Sequence, residues 1–260
     1  MNKSGYTDFK KNIYNLIGID LDYYKEKQMK RRITSLRNRN GFSSFKQYFI
    51  GLQNDMALLN EFINYLTINV SEFYRNPTQW QTLETDILPD LIDNSRTPLR
   101  VWSSACSTGE EPYSLVMLLT RFYKLRDIKV IASDIDREAI KKAKLGIYNE
   151  KSLTNLPAEF IRNYFNKKGE AFQIADIIKE RVEFRNIDLL KDPFPKNMDL
   201  ITCRNVMIYF TEHAKQMLYN KFYNSLSQRG VFFVGSTEQI ISPERYNFKS
   251  TNTFFYSRIV

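Results

Sequence analysis

Three stretches of the chain place polar side chains directly after short apolar runs, and those side chains limit what chemistry is open to it. The first is Leu99–Ser114, LRVWSSACSTGEEPYS. A strand-like LRVW leads into small residues, then Gly109, then Glu110 and Glu111 at the start of a helix. In doubly wound folds the ligand lies at the carboxyl ends of the strands, beside the first strand–helix turn, and small residues there let the backbone approach it. The pattern is not GxGxxG, and a carboxylate at that turn would repel a pyrophosphate. It suits a cationic ligand, such as the amino group or sulfonium of S-adenosylmethionine. An acidic first turn that only complements the helix dipole accounts for the same two residues equally well.

The second stretch is Val130–Asp136, VIASDID, at the end of the next apolar run. An acidic residue there, about 25 residues on, is placed to accept hydrogen bonds from a ribose 2′-OH. Asp134 comes first after the apolar run and is the candidate; Asp136 reads as the cap of the helix beginning at Arg137. This supports a nucleoside-containing cofactor without choosing one. The third stretch is Leu200–Phe210, LITCRNVMIYF. A strand followed by an amphipathic helix explains Val206, Met207 and Ile208. It does not explain Arg204 and Asn205, which a strand end would set along the same crevice.

Other chemistries find little support. The single histidine, His213, sits in the polar Thr211–Glu212–His213 and reads as a surface residue at a helix start. Cys106 and Cys203 lack any CxxC or Cys/His ligand spacing, so no metal site is expected. Two cysteines in 260 residues suit a reducing, cytoplasmic compartment. No run of 18 apolar residues could span a membrane, and the first residues lack the apolar core of a signal peptide. A net charge of +9 predicts an acidic partner of some kind.

The elements that must position these residues follow from hydrophobic periodicity. Apolar residues recur at helical spacing in Phe9–Ile17, Met29–Leu36, Phe45–Leu52 and Met56–Leu66, with Gly18 and Gly41 as breaks. From Leu99 the texture changes. Strand-like runs at Leu99–Trp102, Lys129–Ala132, Val182–Asn186, Leu200–Thr202 and Val231–Gly235 are interleaved with helical stretches at Pro112–Tyr123, Arg137–Leu145 and Ala214–Leu226. That alternation predicts an α/β fold, a parallel sheet with helices on both faces. Phe248–Ile259 reads as one final strand. Ser152–Glu180 is too long for an ordinary crossover and reads as an inserted subdomain of helices and a small hairpin, with Gly169 as its turn.

STGEEPYS, ASDID and CRNVMIYF, in this order and spacing, resemble the chemotaxis receptor glutamate methyltransferases, the CheR family; Asn69–Arg75, NVSEFYR, resembles that family's other signature. The likeness covers essentially the whole chain. It implies a helical N-terminal domain (1–68), a linker and entry helix (69–98), and a Rossmann-like S-adenosylmethionine-dependent methyltransferase domain (99–260) with an inserted β-subdomain over about 152–181. It implies donor contacts from Asn69, Ser71, Arg75, Glu111, Asp134, Asn186, Ile187, Arg204 and Asn205. Ser71 stands where the family often has threonine, which keeps the hydroxyl. It also implies catalytic roles for Arg75, Arg204 and Tyr209.

The implied reaction suits these groups. A glutamate carboxylate, with an ordinary pKa of about 4.3, is ionised at pH 7 and needs no general base to attack a sulfonium methyl. The enzyme must hold the reacting groups in line. An arginine fork, from Arg75 or Arg204, would orient the carboxylate, and Tyr209 would orient the donor. The basic segment Tyr23–Arg39 buries Met29, Ile33 and Leu36 if helical and offers Lys27, Lys30, Arg31, Arg32 and Arg37 to a partner. Such a face is solvated by default and could meet nucleic acid. The resemblance instead implies the acidic cytoplasmic helices of chemoreceptors, met by a monomer that neither enters the membrane nor binds nucleic acid. An RNA or DNA methyltransferase is the rival reading, opposed by the lack of an Asn-Pro-Pro-Tyr or Asp-Pro-Pro-Tyr motif and of a catalytic Pro-Cys pair. A signalling module that keeps the fold without the donor is another, opposed by Arg75, Glu111, Asp134, Asn205 and Tyr209.

Overall fold

The computed structural model describes residues 3–67, 71–93, 95 and 97–259. The chain forms two compact units, Met1–Asn69 with Tyr209–Gln216, and Val70–Ile208 with Met217–Val260.

The smaller unit is built on α1 (Lys3–Ile17), α2 (Glu26–Arg39), α3 (Phe45–Asn54) and α4 (Met56–Thr67). Each helix starts or stops for a local reason. Ser44 caps α3 by accepting from the Gln47 N–H, and the Asp55 carboxylate accepts from Ala57 and Leu58 N–H groups at the start of α4. Gly41, at φ +77°, lets the chain turn after α2. The apolar stripes meet in an aromatic core in which Phe9 packs against Phe45, Tyr48 and Phe62 at 5.2–6.0 Å. Met29, Ile33 and Leu36 of α2 are buried as their spacing predicts. The segment Tyr209–Gln216 belongs to this unit through backbone bonds: Lys25 N–H donates to Tyr209 O and Thr211 N–H to Tyr23 O. His213 is exposed, at the start of a helix, and its ring stacks on Tyr23.

The larger unit opens with α5 (Pro77–Thr82), a π-helical turn (Leu83–Ile87) and α6 (Leu88–Asp93). A three-layer arrangement follows: β1 (Val101–Ser103), α7 (Glu110–Leu119), β2 (Val130–Asp134), α8 (Arg137–Leu145) and β3 (Ile147–Asn149). Next come α9 (Ala158–Tyr164), β4 (Phe165–Lys168), β5 (Ala171–Ile174), α10 (Asp176–Lys179), β6 (Val182–Asn186) and β7 (Met198–Cys203). The chain closes with α11 (Glu212–Ser225), β8 (Leu226–Val234), β9 (Phe248–Asn252) and β10 (Phe255–Arg258). Among the described residues the main sheet runs β6-β2-β1-β7-β8-β10-β9. Side chains alternate across it. Val101, Val130, Leu200 and Phe233 join one apolar cluster with Tyr113, Val116 and Met117 of α7. Trp102 and Phe232 meet Phe222 of α11 at ring distances of 5.7 and 4.6 Å. Both faces are therefore covered, and the central strands β1, β2 and β7 are largely apolar and buried until they reach their polar carboxyl ends.

Two features differ from the sequence expectation. The sheet is mixed, because β10 runs antiparallel to both β8 and β9. The expected final strand is a hairpin: Phe254 turns the chain at φ +70°, the Asn252 side chain accepts from Thr253 N–H, and β10 lies between β8 and β9. A second, three-stranded sheet has the order β3-β5-β4. Gly169 forms its tight turn at φ +61°, and β3, which lies before Ser152, supplies the third strand.

Candidate active site

The chain winds from β1 outward to β2 and β6, then returns to β7 on the opposite side of β1. The carboxyl ends of β1 and β7 therefore flank a topological switch point, where such sheets bind ligands. Glu111 lies there. Its Oε1 accepts from the Ser103 hydroxyl of β1 at 2.8 Å and from the Thr202 hydroxyl of β7. Its Oε2 pairs with Nη1 of Arg204 at 3.3 Å. Of the about four acceptor positions on a carboxylate, Glu111 thus commits three to the two strands it bridges.

Arg204 has only 2% of its side chain exposed. Burial pulls its guanidinium down from the ordinary value, and Glu111 pushes back. Its Nη2 donates to the Arg75 carbonyl at 2.7 Å and to Gln79 Oε1 at 2.8 Å. The guanidinium lies over the Phe233 ring at 4.7 Å. The Nε–H is buried and has no partner among the described residues. Arg204 is therefore spent on holding other groups, which makes it unsuited to gripping a substrate carboxylate with its fork.

Arg75 is the residue this scaffold presents. Its carbonyl is pinned by Arg204 and by Trp80 Nε1. Tyr74 and Asn76 on either side adopt φ values of +52° and +61°. A bulky residue in the left-handed region is costly and persists only where packing over-determines it. Here Tyr74 stacks on Trp80 at 4.7 Å. Phe73 meets Tyr148 and Phe165 of the small sheet at 4.8 and 5.4 Å. The Arg75 side chain is half-buried.

The turn after β1 explains the small residues of the sequence. Ser104 N–H donates to Thr202 O, and Cys106 N–H to Ser133 O. Gly109 sits at φ +97°, and a Cβ there would stand 2.9 Å from Ala143 Cβ and 3.0 Å from the Tyr148 hydroxyl. Only glycine fits. At the end of β2, Asp134 accepts from Ser107 N–H at 2.8 Å and from Asp136 N–H at 2.9 Å. Burial pushes its carboxyl up to about 6. The Ile135 N–H also contributes, so three of the about four acceptor positions on this carboxylate are taken by backbone and one is left. Asp136 caps α8 by accepting from Glu138 and Ala139 N–H groups.

Asn186 sits at the end of β6, next to Asp134 in the register. Its amide donates to the Asp134 and Ile135 carbonyls, and its oxygen accepts from Arg137. The side chain ties β6 to β2. Ile187 is buried beside it, with its N–H on Asp134 O. Ser71 hydrogen-bonds to the buried Glu110 carboxylate, which also accepts from Thr108. Asn205 follows Arg204 at φ +60°. Asn69 lies outside the described residues.

Gln79 and Glu238 belong to this cluster and are missing from the sequence reading. Nothing in the sequence marks Gln79. Glu238 carries a readable signal, since β8 runs into Gly-Ser-Thr-Glu just as β1 runs into small residues, Gly109 and Glu110.

In the smaller unit, Tyr209 ends a 3-10 turn and is half-buried. The basic helix α2 divides its cations. Lys30 lies over Tyr6 and Arg37 over Phe45. Arg32 lies over Tyr65 and donates to its carbonyl. Lys27 and Arg31 are exposed.

Residues 69–255 match the family described as CheR methyltransferase, SAM binding domain. Residues 4–67 match CheR methyltransferase, all-alpha domain. The chain is 43% identical over 251 residues to a chemotaxis protein methyltransferase of Listeria monocytogenes, covering 96% of each chain. It is 34% identical to one from Borreliella burgdorferi, over 88% of this chain and 86% of the other. It is also 34% identical to chemotaxis protein methyltransferase 2 of Vibrio cholerae, over 89% and 84%.

Proposed function

The chain belongs to the CheR methyltransferase family, and from that premise we propose that it esterifies glutamate side chains on the cytoplasmic helices of chemoreceptors. S-adenosylmethionine, when bound, supplies an activated methyl group on a sulfonium. The strand-end residues fit that donor. Asp134 offers an acceptor position to ribose hydroxyls, Gly109 permits the tight turn that brings α7 against the ends of the strands, and the Arg204 Nε–H is a buried donor with no acceptor among the described residues.

The observation that carries the glutamate reading is the presentation of Arg75 on a carbonyl held by Arg204 and Trp80. A cation fixed in this way can orient an anionic nucleophile by a forked hydrogen bond. The nucleophile arrives already ionised and needs no base. The carboxylates of this region serve the scaffold, because Glu110, Glu111 and Glu238 are each committed to protein donors. Arginine contact that was too strong would reduce carboxylate nucleophilicity, so the role of Arg75 is positioning.

The names of the three relatives support a chemoreceptor partner. Exposed Lys27 and Arg31 on α2 support an encounter with acidic receptor helices. The test is mass spectrometric mapping of receptor membranes after incubation with the enzyme and S-adenosylmethionine. Methyl groups on glutamates of the receptor's cytoplasmic helices are expected; methyl groups on lysine or on added RNA alone would refute the reading.

A further inference from the structure

We propose that Glu238 is a positioning residue that sets the Arg204–Ile208 loop in its donor-binding shape. Glu238 lies on the loop after β8 and is 6% exposed. Oε2 accepts from Asn205 N–H at 2.6 Å and from Gly235 N–H at 3.0 Å. Oε1 accepts from Ile208 N–H at 3.2 Å, and Met207 N–H also contributes. One side chain from the loop after β8 thus accepts from three backbone N–H groups, those of Asn205, Met207 and Ile208, in the segment after β7.

The geometry around it is built for this contact. A Cβ on Gly235 would stand 2.3 Å from Glu238 Oε2 and 2.9 Å from Asn205 N. Glycine at 235 is what lets the carboxylate reach the loop. Asn205, at φ +60°, holds a conformation unfavourable to most residues, and its N–H makes the shortest of these bonds. Glu238 also adds to the negative field that keeps Arg204 charged. The segment after β7 therefore owes its shape to an anion contributed by the loop that follows the neighbouring strand. Glutamine is a poor replacement, because its NH₂ would face backbone N–H donors.

The inference rests on the assignment of Asn205 to the donor site, so both are tested together. S-adenosylhomocysteine binding is measured by calorimetry for wild type, Glu238→Gln and Asn205→Ala, with the Tm of each. Glu238→Gln is expected to weaken binding by about tenfold or more at a temperature where it is fully folded. A merely structural role would lower Tm and leave that affinity unchanged. If Asn205→Ala weakens binding and folded Glu238→Gln does not, the proposal is overturned while the donor-site reading stands. If neither variant changes affinity, both fall. Should Glu238→Gln fail to fold, Gly235→Ala, which displaces the carboxylate without removing it, is read by the same two outcomes.

Discussion

Arg204 is the charge this chain can least easily keep without a partner, and Glu111 is the partner. Removing one member of a buried ion pair leaves an uncompensated charge and costs about 3–5 kcal/mol. Glu111→Ala is therefore expected to lower Tm by about 10 °C or more in a unit of this size, measured by thermal unfolding; an unchanged Tm would contradict the pairing. Asp134 makes a pH-dependent contribution. Its folded pKa, about 6, lies above its ordinary value of 3.8 because of burial. Between those values the folded chain holds a proton that the unfolded chain releases, so stability falls as pH rises across the window. The contribution is on the order of 3 kcal/mol, and Asp134→Asn should remove that slope in denaturant titrations at a series of pH values. The ionised form is the better acceptor for ribose, so S-adenosylhomocysteine affinity should rise as pH passes through about 6 and stay flat in the variant. At this scale the sequence showed which polar residues lie past the strand ends, since Asp134, Arg204 and Asn205 follow apolar runs and Glu111 opens the helix after the first of them. It did not show their partners. That Arg204 holds the Arg75 carbonyl, across 129 positions, is a fact of folding rather than of spacing.

The elements differ in how openly the sequence announces them. Strands β1, β2 and β7 bury apolar residues on both faces, and their runs stand out against amphipathic helices, whereas β6, VEFRN, alternates apolar with charged residues at the sheet edge. The terminal hairpin was hidden because its turn uses Asn252, Thr253 and Phe254 rather than glycine or proline, and a phenylalanine at φ +70° has no compositional signature. β3 was hidden because three residues are too few to show alternation, and its partner β5 lies beyond α9. The turn from β1 into α7 is the element on which the site most depends. Gly109→Ala would force a Cβ into the left-handed region against Ala143 and Tyr148. The expected cost is about 2 kcal/mol or more, seen as a lower denaturation midpoint together with weakened S-adenosylhomocysteine binding. Gly5, whose Cβ would meet nothing within 4 Å, is the control and should tolerate alanine.

At the scale of the whole molecule, a net charge of +9 favours encounter with acidic surfaces. The structure narrows which cations are available for that. Lys30, Arg32 and Arg37 cover aromatic rings of their own unit, so Lys27 and Arg31 are the residues to reverse. Lys27→Glu with Arg31→Glu is expected to slow receptor methylation several-fold at low salt, with a smaller effect at high salt and unchanged S-adenosylhomocysteine affinity. Equal rates in wild type and variant would remove α2 from the docking surface. The central claim is that a positioned Arg75 directs an ionised glutamate to the donor methyl. It is tested most directly by counting labelled methyl groups released by alkali from chemoreceptor membranes treated with wild type or Arg75→Ala. The account predicts base-labile label with wild type and a loss of about a hundredfold or more in turnover with Arg75→Ala, at normal Tm. Alkali-stable label, or full turnover by the folded variant, would contradict it.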